Sequence, residues 1–513
     1  MNCADGLAAK VKRRRARRTA TGLQAAAKLV LACAALMQAA SLPAQQTAAP
    51  TSGIQQPGKD AQLQTGTSSG LSADARLLNL LADHQYRSVE AQLGQLPPEE
   101  AQFYRGILAN RSNELEQSIK LLEPLTDAIA QSGNMAHEKL LRKALAEDYL
   151  RLGDWARAAS AYQALDTRFK GKLTSDEQDE IELPLKLLPL IKDNPPTTIE
   201  PCDPFKVQVS VNPLGLVDMP VFVDARSRRW MLDPTLPFNL IARSTARDAG
   251  LRISAASATA STLTGRPIQV HAAVVPRFTI GGRLTLREMT AFVFDDKDYF
   301  FPQTSYQVEG VLGYPALAAI GSLTVTSDNA VFIRPARQIS PPEKDDLLTT
   351  GARFYLDGDQ VIVALGRAGN TAGDSPPQLG SRATGQGTAG SDRAAEPSDA
   401  ADDKRMYAVD AGGQQTYLTS RYFDEHAGEF NRQKMAMFSL LGAQSPQSAY
   451  MAENVLLEVG ATTVTIHFIH VLTQPLGSGA VDDVYGVLGS DALGQLKSYT
   501  FDYRTMRFSA AAE

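Results

Sequence analysis

A chain of 513 residues has room for about three domains of ordinary size, and 43% apolar residues supply enough core for each. Its formal charge of −5 argues against nucleic acid as a partner, because such binding rests on a basic surface that displaces counterions. Of the three cysteines, Cys3 and Cys33 fall in the first 44 residues, so Cys202 is left without an internal disulfide partner and reads as a small, partly buried side chain.

The N-terminus has its own composition. A basic block from Lys10 to Arg18 precedes an apolar stretch, Leu29 to Met37, and then Ser41-Leu42-Pro43-Ala44-Gln45. That order predicts a signal peptide over residues 1–44, cleaved near Ala44, and hence an exported protein, periplasmic or secreted. The apolar core is short for a bilayer span, so membrane contact is expected only if the leader is retained. A basic, Ala-rich start with no export role accounts for the same residues. Val30-Leu31-Ala32-Cys33 is a poor match to a lipoprotein box, with Leu before Ala. Removing the segment's eight cations and one anion leaves the remainder more acidic. Residues 45–71, rich in Gln, Thr, Ser, Gly and Ala, read as a disordered linker.

Residues 72–195 read as helices. Ser72 before an apolar rhythm at Leu77, Leu78, Leu80 and Leu81 predicts a capped amphipathic helix. Tyr104 to Leu122 and Ala146 to Leu165 carry the small-and-large spacing of helical hairpins, in which small residues let paired helices approach. The order Tyr149, Gly153-Asp154-Trp155, Ala158, Tyr162 resembles a tetratricopeptide repeat; a plain helical bundle fits the same pattern. Pro195, Pro196 and Pro201 end the region.

From Phe205 the texture changes to strands. Lys206 to Val211, Val221 to Val223, Arg229 to Leu232, Ile268 to Val275, Phe278 to Ile280 and Thr290 to Phe294 make a first block over 205–336, with a turn at Gly281-Gly282. A second block over 345–513 runs through Phe354 to Leu356, Val361 to Leu365, Met406 to Val409, Val455 to Val459, Thr463 to Leu472 and Tyr499 to Phe508. Residues 366–405 interrupt it with a low-complexity stretch whose only large aliphatic residue is Leu379, expected to be a disordered hairpin insertion.

Each block holds one copy of a pattern. Trp230-Met231-Leu232-Asp233 is followed by Val311-Leu312-Gly313, and Tyr407-Ala408-Val409-Asp410 by Val487-Leu488-Gly489. The Asp-to-Gly spacings, 80 and 79, are nearly equal. An Asp at a strand end is ordinarily a turn residue; the equivalent placement of two of them sets this pair apart. In these motifs the chain from Phe205 to its end resembles retropepsin-like and pepsin-like aspartic peptidases with tandem lobes. The closing Tyr499-Thr500-Phe501-Asp502-Tyr503-Arg504 is similar to the last strand of bacterial members.

The resemblance implies a multidomain α plus all-β protein, in which a helical-repeat domain precedes a bilobal pepsin-like β domain. It implies Asp233 and Asp410 as a catalytic dyad, supported by loop residues Thr235 and Gly412 and by Gly313 and Gly489, where Gly permits close backbone approach. Two carboxylates about 3 Å apart share one proton, so the charged member activates a water and the protonated one polarises a peptide carbonyl. No metal or cofactor is implied. The partner is a peptide or protein substrate, bound as an extended strand. The family motif is altered here: its hydroxyl-bearing second position is Pro234 in one half and Ala411 in the other, and its Gly is Thr235 in the first half but Gly412 in the second.

Other chemistry finds little purchase. His467 and His470, three apart in a strand, are expected on opposite faces and are poor joint metal ligands. His271 reads as a surface residue of a first-lobe hairpin, and Asp295-Asp296-Lys297-Asp298 as a solvated turn. The motifs of zinc, serine and phosphate-binding enzymes are missing. Three functions follow: an aspartic endopeptidase, a pseudopeptidase that binds extended peptides, or a cell-envelope scaffold whose helical repeats hold a protein partner.

Overall fold

The computed structural model describes residues 72–234, 236–261, 267–302, 304–339, 351–358, 360–367, 405–412, 415–430, 433–438, 447–476 and 482–512. The expected leader, the linker and nearly all of 366–405 lie outside these residues. Residues 74–300 and 307–513 form one compact unit, and within Phe301–Tyr306 the Phe301 and Tyr306 rings lie 6.5 Å apart.

The helical region has eight α-helices among the described residues: α1 (Ala73–Ala82), α2 (Tyr86–Gln92), α3 (Pro98–Arg111), α4 (Leu115–Leu122), α5 (Thr126–Ser132), α6 (Met135–Leu152), α7 (Trp155–Arg168) and α8 (Ser175–Ile191). Their ends follow capping rules. Asn134 and Asp154 accept the backbone N–H groups of His137 and Arg157, Gly153 closes α6 at φ +74°, and Thr174 with Glu177 makes a reciprocal capping box on α8. At Gly106 a Cβ would lie 2.5 Å from Leu122 Cγ, so the α3–α4 approach requires glycine. α8 continues through Pro184 and Pro189, each of which removes a helical N–H.

The β region is built as two halves with one element order. The first has β1 (Phe205–Gln208), β2 (Val217–Val223), β3 (Arg226–Leu232), β4 (Leu240–Ala242), α9 (Arg243–Asp248), β5 (Ala258–Ser261), β6 (Pro267–Ile280), β7 (Leu284–Phe294), β8 (Gly310–Leu312), α10 (Tyr314–Ile320), β9 (Ser322–Thr326) and β10 (Ala330–Arg334). The second has β11 (Ala352–Asp357), β12 (Gln360–Arg367), β13 (Arg405–Asp410), β14 (Tyr417–Leu418), α11 (Ser420–His426), β15 (Ala436–Phe438), β16 (Gln447–Val459), β17 (Thr462–Leu472), β18 (Gly486–Gly489), α12 (Ser490–Leu493), β19 (Ser498–Asp502) and β20 (Arg507–Ala511).

Register repeats as well as order. β8 runs parallel to β3, with Leu312 opposite Leu232, and antiparallel to β4, with Val311 opposite Leu240. In the second half β18 runs parallel to β13, with Asp410 opposite Gly489, and antiparallel to β14, with Tyr417 opposite Val487. The halves join where β9 pairs with β19 about Thr324 and Thr500, whose hydroxyls lie 2.8 Å apart. Outward from that seam, β10 and β1 on one side match β20 and β11 on the other. One sheet of 13 described strands therefore passes through both halves.

Two strand expectations are corrected. Lys206 to Val211 is not one strand: β1 pairs with β10, whereas Ser210 and Val211 pair with β2 in the other sheet. Tyr499 to Phe508 is a hairpin, because the Asp502 carboxylate accepts the Arg504 N–H at 2.9 Å and turns the chain.

Candidate active site

Each Asp is placed by the strand inserted beside it. The Asp233 N–H donates to Leu312 O at 3.0 Å, and Asp410 ends β13 opposite Gly489. The glycines are demanded by backbone proximity. A Cβ on Gly313 would stand 2.6 Å from Leu236 O, and one on Gly489 would stand 2.8 Å from Gln415 O. A further pair of side chains holds this geometry. Asn239 Oδ1 accepts the Gly313 N–H at 3.1 Å, and Thr416 Oγ1 accepts the Gly489 N–H at 2.8 Å. Asn239 also donates to Thr290 O, and the Thr416 hydroxyl donates to Asp491. Sequence reasoning missed both. The signal was there: each is a polar residue six positions after its Asp, set before an apolar strand, and each is buried, at 1% and 4% exposure.

The two loops meet. A Cβ on Gly412 would lie 2.5 Å from Asp233 Cγ and 2.7 Å from its Oδ1, so the first carboxylate rests against the backbone two residues past Asp410. Both aspartates are half-buried. Burial raises the Tyr503 hydroxyl well above its ordinary value, and the Tyr314 and Asp233 charges add to it; burial does the same to Tyr417, with Asp410 and Asp482 adding to it. Pro234 is buried and Ala411 packs at the edge of the β core, so neither supplies the hydroxyl of the family motif. Thr235 lies outside the described residues.

The remaining candidates separate from this site. The His467 ring meets Asn454 Oδ1 at 2.6 Å, whereas His470 stacks on Phe438 with centroids 4.0 Å apart, so the two do not share a centre. His271 is half-buried, with Nδ1 2.9 Å from Ser254 O. Asp295 and Asp296 are more than a solvated turn: they bind Arg243 and the Ser244 hydroxyl and anchor the start of α9. The buried Cys202 thiol, raised by desolvation, donates to Asp203 O. Among the described residues no group of three or more His, Cys, Asp or Glu could hold a metal ion, and no helix is long and apolar enough to cross a membrane.

A family model described as aspartyl protease matches residues 219–316, which include Asp233 and Gly313. The chain thus carries an aspartyl-protease-like segment in its first β half. A search of the curated proteins found no match. Solved structures similar to this chain include conglutin gamma, a basic 7S globulin from lupine seeds, at 11% identity over 61% of this chain and 95% of that one, with a TM-score of 0.35. Basic 7S globulin from soybean matches at 9% identity over the same shares, TM-score 0.34. A retropepsin-like aspartic protease from Rickettsia conorii matches at 15% identity over 25% of this chain and 98% of its own, TM-score 0.19.

Proposed function

We propose that the protein is an exported aspartic peptidase of the retropepsin-like and pepsin-like kind, with Asp233 and Asp410 as its dyad, one from each of two tandem lobes. The observation that carries this reading is the contact of the Asp233 carboxylate with Gly412, which brings the two Asp loops together. Gly412, Gly313 and Gly489 serve as supporting loop residues, and Thr235 completes the set from the sequence. One carboxylate holds the proton and the other draws a proton from water, which attacks the peptide carbonyl. The substrate lies extended in the groove between lobes. The helical hairpins, read as tetratricopeptide-like, offer a surface for a protein partner.

The test is cleavage of an unfolded protein by the purified chain. Hydrolysis favoured in acid, blocked by pepstatin and abolished by Asp410→Asn supports the proposal. A second reading, a pseudopeptidase, is favoured by the missing hydroxyls at Pro234 and Ala411. Retention of an extended peptide with no cleavage at any pH selects it.

A further inference from the structure

The helical region is seated against both β halves. Its buried side chains share one apolar cluster with Phe238 and Ala260 of the first half and with Tyr355, Tyr417 and Val484 of the second. α8 packs against β5 and β6. Leu150, Tyr162, Leu183 and Pro184 of the helical region line a cavity of about 200 Å3 together with Pro234, directly after Asp233, and Pro237. α8 thus stands against both the β5–β6 hairpin and the first Asp loop.

The seat is fastened by buried charge. Arg111 of α3 reaches Asp357, at the end of β11, at 2.9 Å and Glu147 of α6 at 2.8 Å. Tyr86 donates to the same Asp357 at 3.0 Å, with the His84 ring 3.4 Å away. Lys143 of α6 bridges to Glu180 of α8 at 2.7 Å, and the Glu180 carboxyl lies against Gly358 of the β11–β12 turn. Burial alone would raise Asp357; Arg111, Lys143 and His84 instead hold it well below the usual carboxylate range. An ion pair of this kind contributes little net stability beside an apolar contact of similar volume, and a void forfeits dispersion contacts along its walls. The chain after α8 is held to β7 by Asn194 Nδ2 on Thr290 Oγ1 at 3.2 Å, by Thr197 Oγ1 on Glu288 O at 3.3 Å, and then by the pairing of Thr198 and Ile199.

We propose that the helical region is the resident cover of the groove beside Asp233, latched by Arg111 and Asp357, and that a peptide reaches the Asp pair only when α8 leaves the first Asp loop. This rests on the peptidase reading of the same site. The population of the uncovered state then sets apparent affinity, since a ligand of a fractionally open site binds weaker by that fraction.

The test compares the full chain with Asp357→Asn and with Tyr86→Phe, which removes the hydroxyl's hydrogen bonds to Asp357 and to the His84 ring without opening a void. Hydrogen exchange is read over α8 and over β5–β6, and pepstatin binding is read by calorimetry. The proposal expects exchange at both segments to rise together and pepstatin to bind about tenfold tighter in Asp357→Asn, with a smaller gain in Tyr86→Phe. Exchange unchanged in both segments of folded variants, or pepstatin affinity equal to that of the unaltered protein, overturns it. If Asp357→Asn does not fold, Tyr86→Phe decides by the same two readings. Coupled opening with no pepstatin binding by any of the proteins supports the cover and contradicts the peptidase reading.

Discussion

At the scale of single residues, Gly412 carries more of the account than its size suggests. It is where the second loop touches the first carboxylate, and any Cβ there displaces Asp233. Gly412→Ala is expected to lower kcat roughly 100-fold, the usual cost of misplacing a reacting group by about 1 Å. The far-UV spectrum and melting temperature should change little, because the residue is only half-buried. Unchanged cleavage kinetics in that variant would separate Asp233 from the chemistry. The equivalent strand-end placement of Asp233 and Asp410 was legible in the sequence from their nearly equal spacing to Gly313 and Gly489. Asn239 and Thr416 share the same offset of six from their Asp but were passed over, because an amide and a hydroxyl perform the same task and no shared letter marks them.

At the scale of elements, helix pairing in the N-terminal region was readable from Gly106, Gly153 and the aromatic spacing, and strand texture was readable from Phe205 onward. Polar packing between helices was not. Asp148 of α6 is buried and accepts from Asn110 Nδ2 of α3 at 2.8 Å. Burial pushes its carboxyl up to about 6, against the pull of Arg151 and Asn110. An acid raised in the folded state binds more protons there than when unfolded, so stability falls as pH rises from about 4 through 6. Asp148→Asn is therefore expected to raise stability by about 1–3 kcal/mol at pH 7 and by little at pH 4. Urea unfolding at the two pH values measures it, and an equal change at both would show that the carboxyl charge does not cost stability. Tyr499 to Phe508 was misread as a single strand because its turn is made by the Asp502 side chain rather than by Gly or Pro.

At the scale of the whole molecule, two features escaped sequence reasoning. Pairing partners across a seam leave no local pattern, so nothing announced that β9 and β19 would carry one sheet through both halves. The helical cover was equally hidden, because Arg111 and Asp357 are 246 positions apart and each alone reads as a surface charge. What was legible is the order of the parts: a helical region, then two similar β halves. The central claim is that the halves act through one carboxylate pair, and groups that act as a unit are grossly non-additive when removed. The most direct measurement is kcat for cleavage of an unfolded protein by Asp233→Asn, Asp410→Asn and the double variant. The account predicts that each single substitution falls to the same background as the double. Losses that multiply, or one single variant that keeps most of its activity, would contradict it.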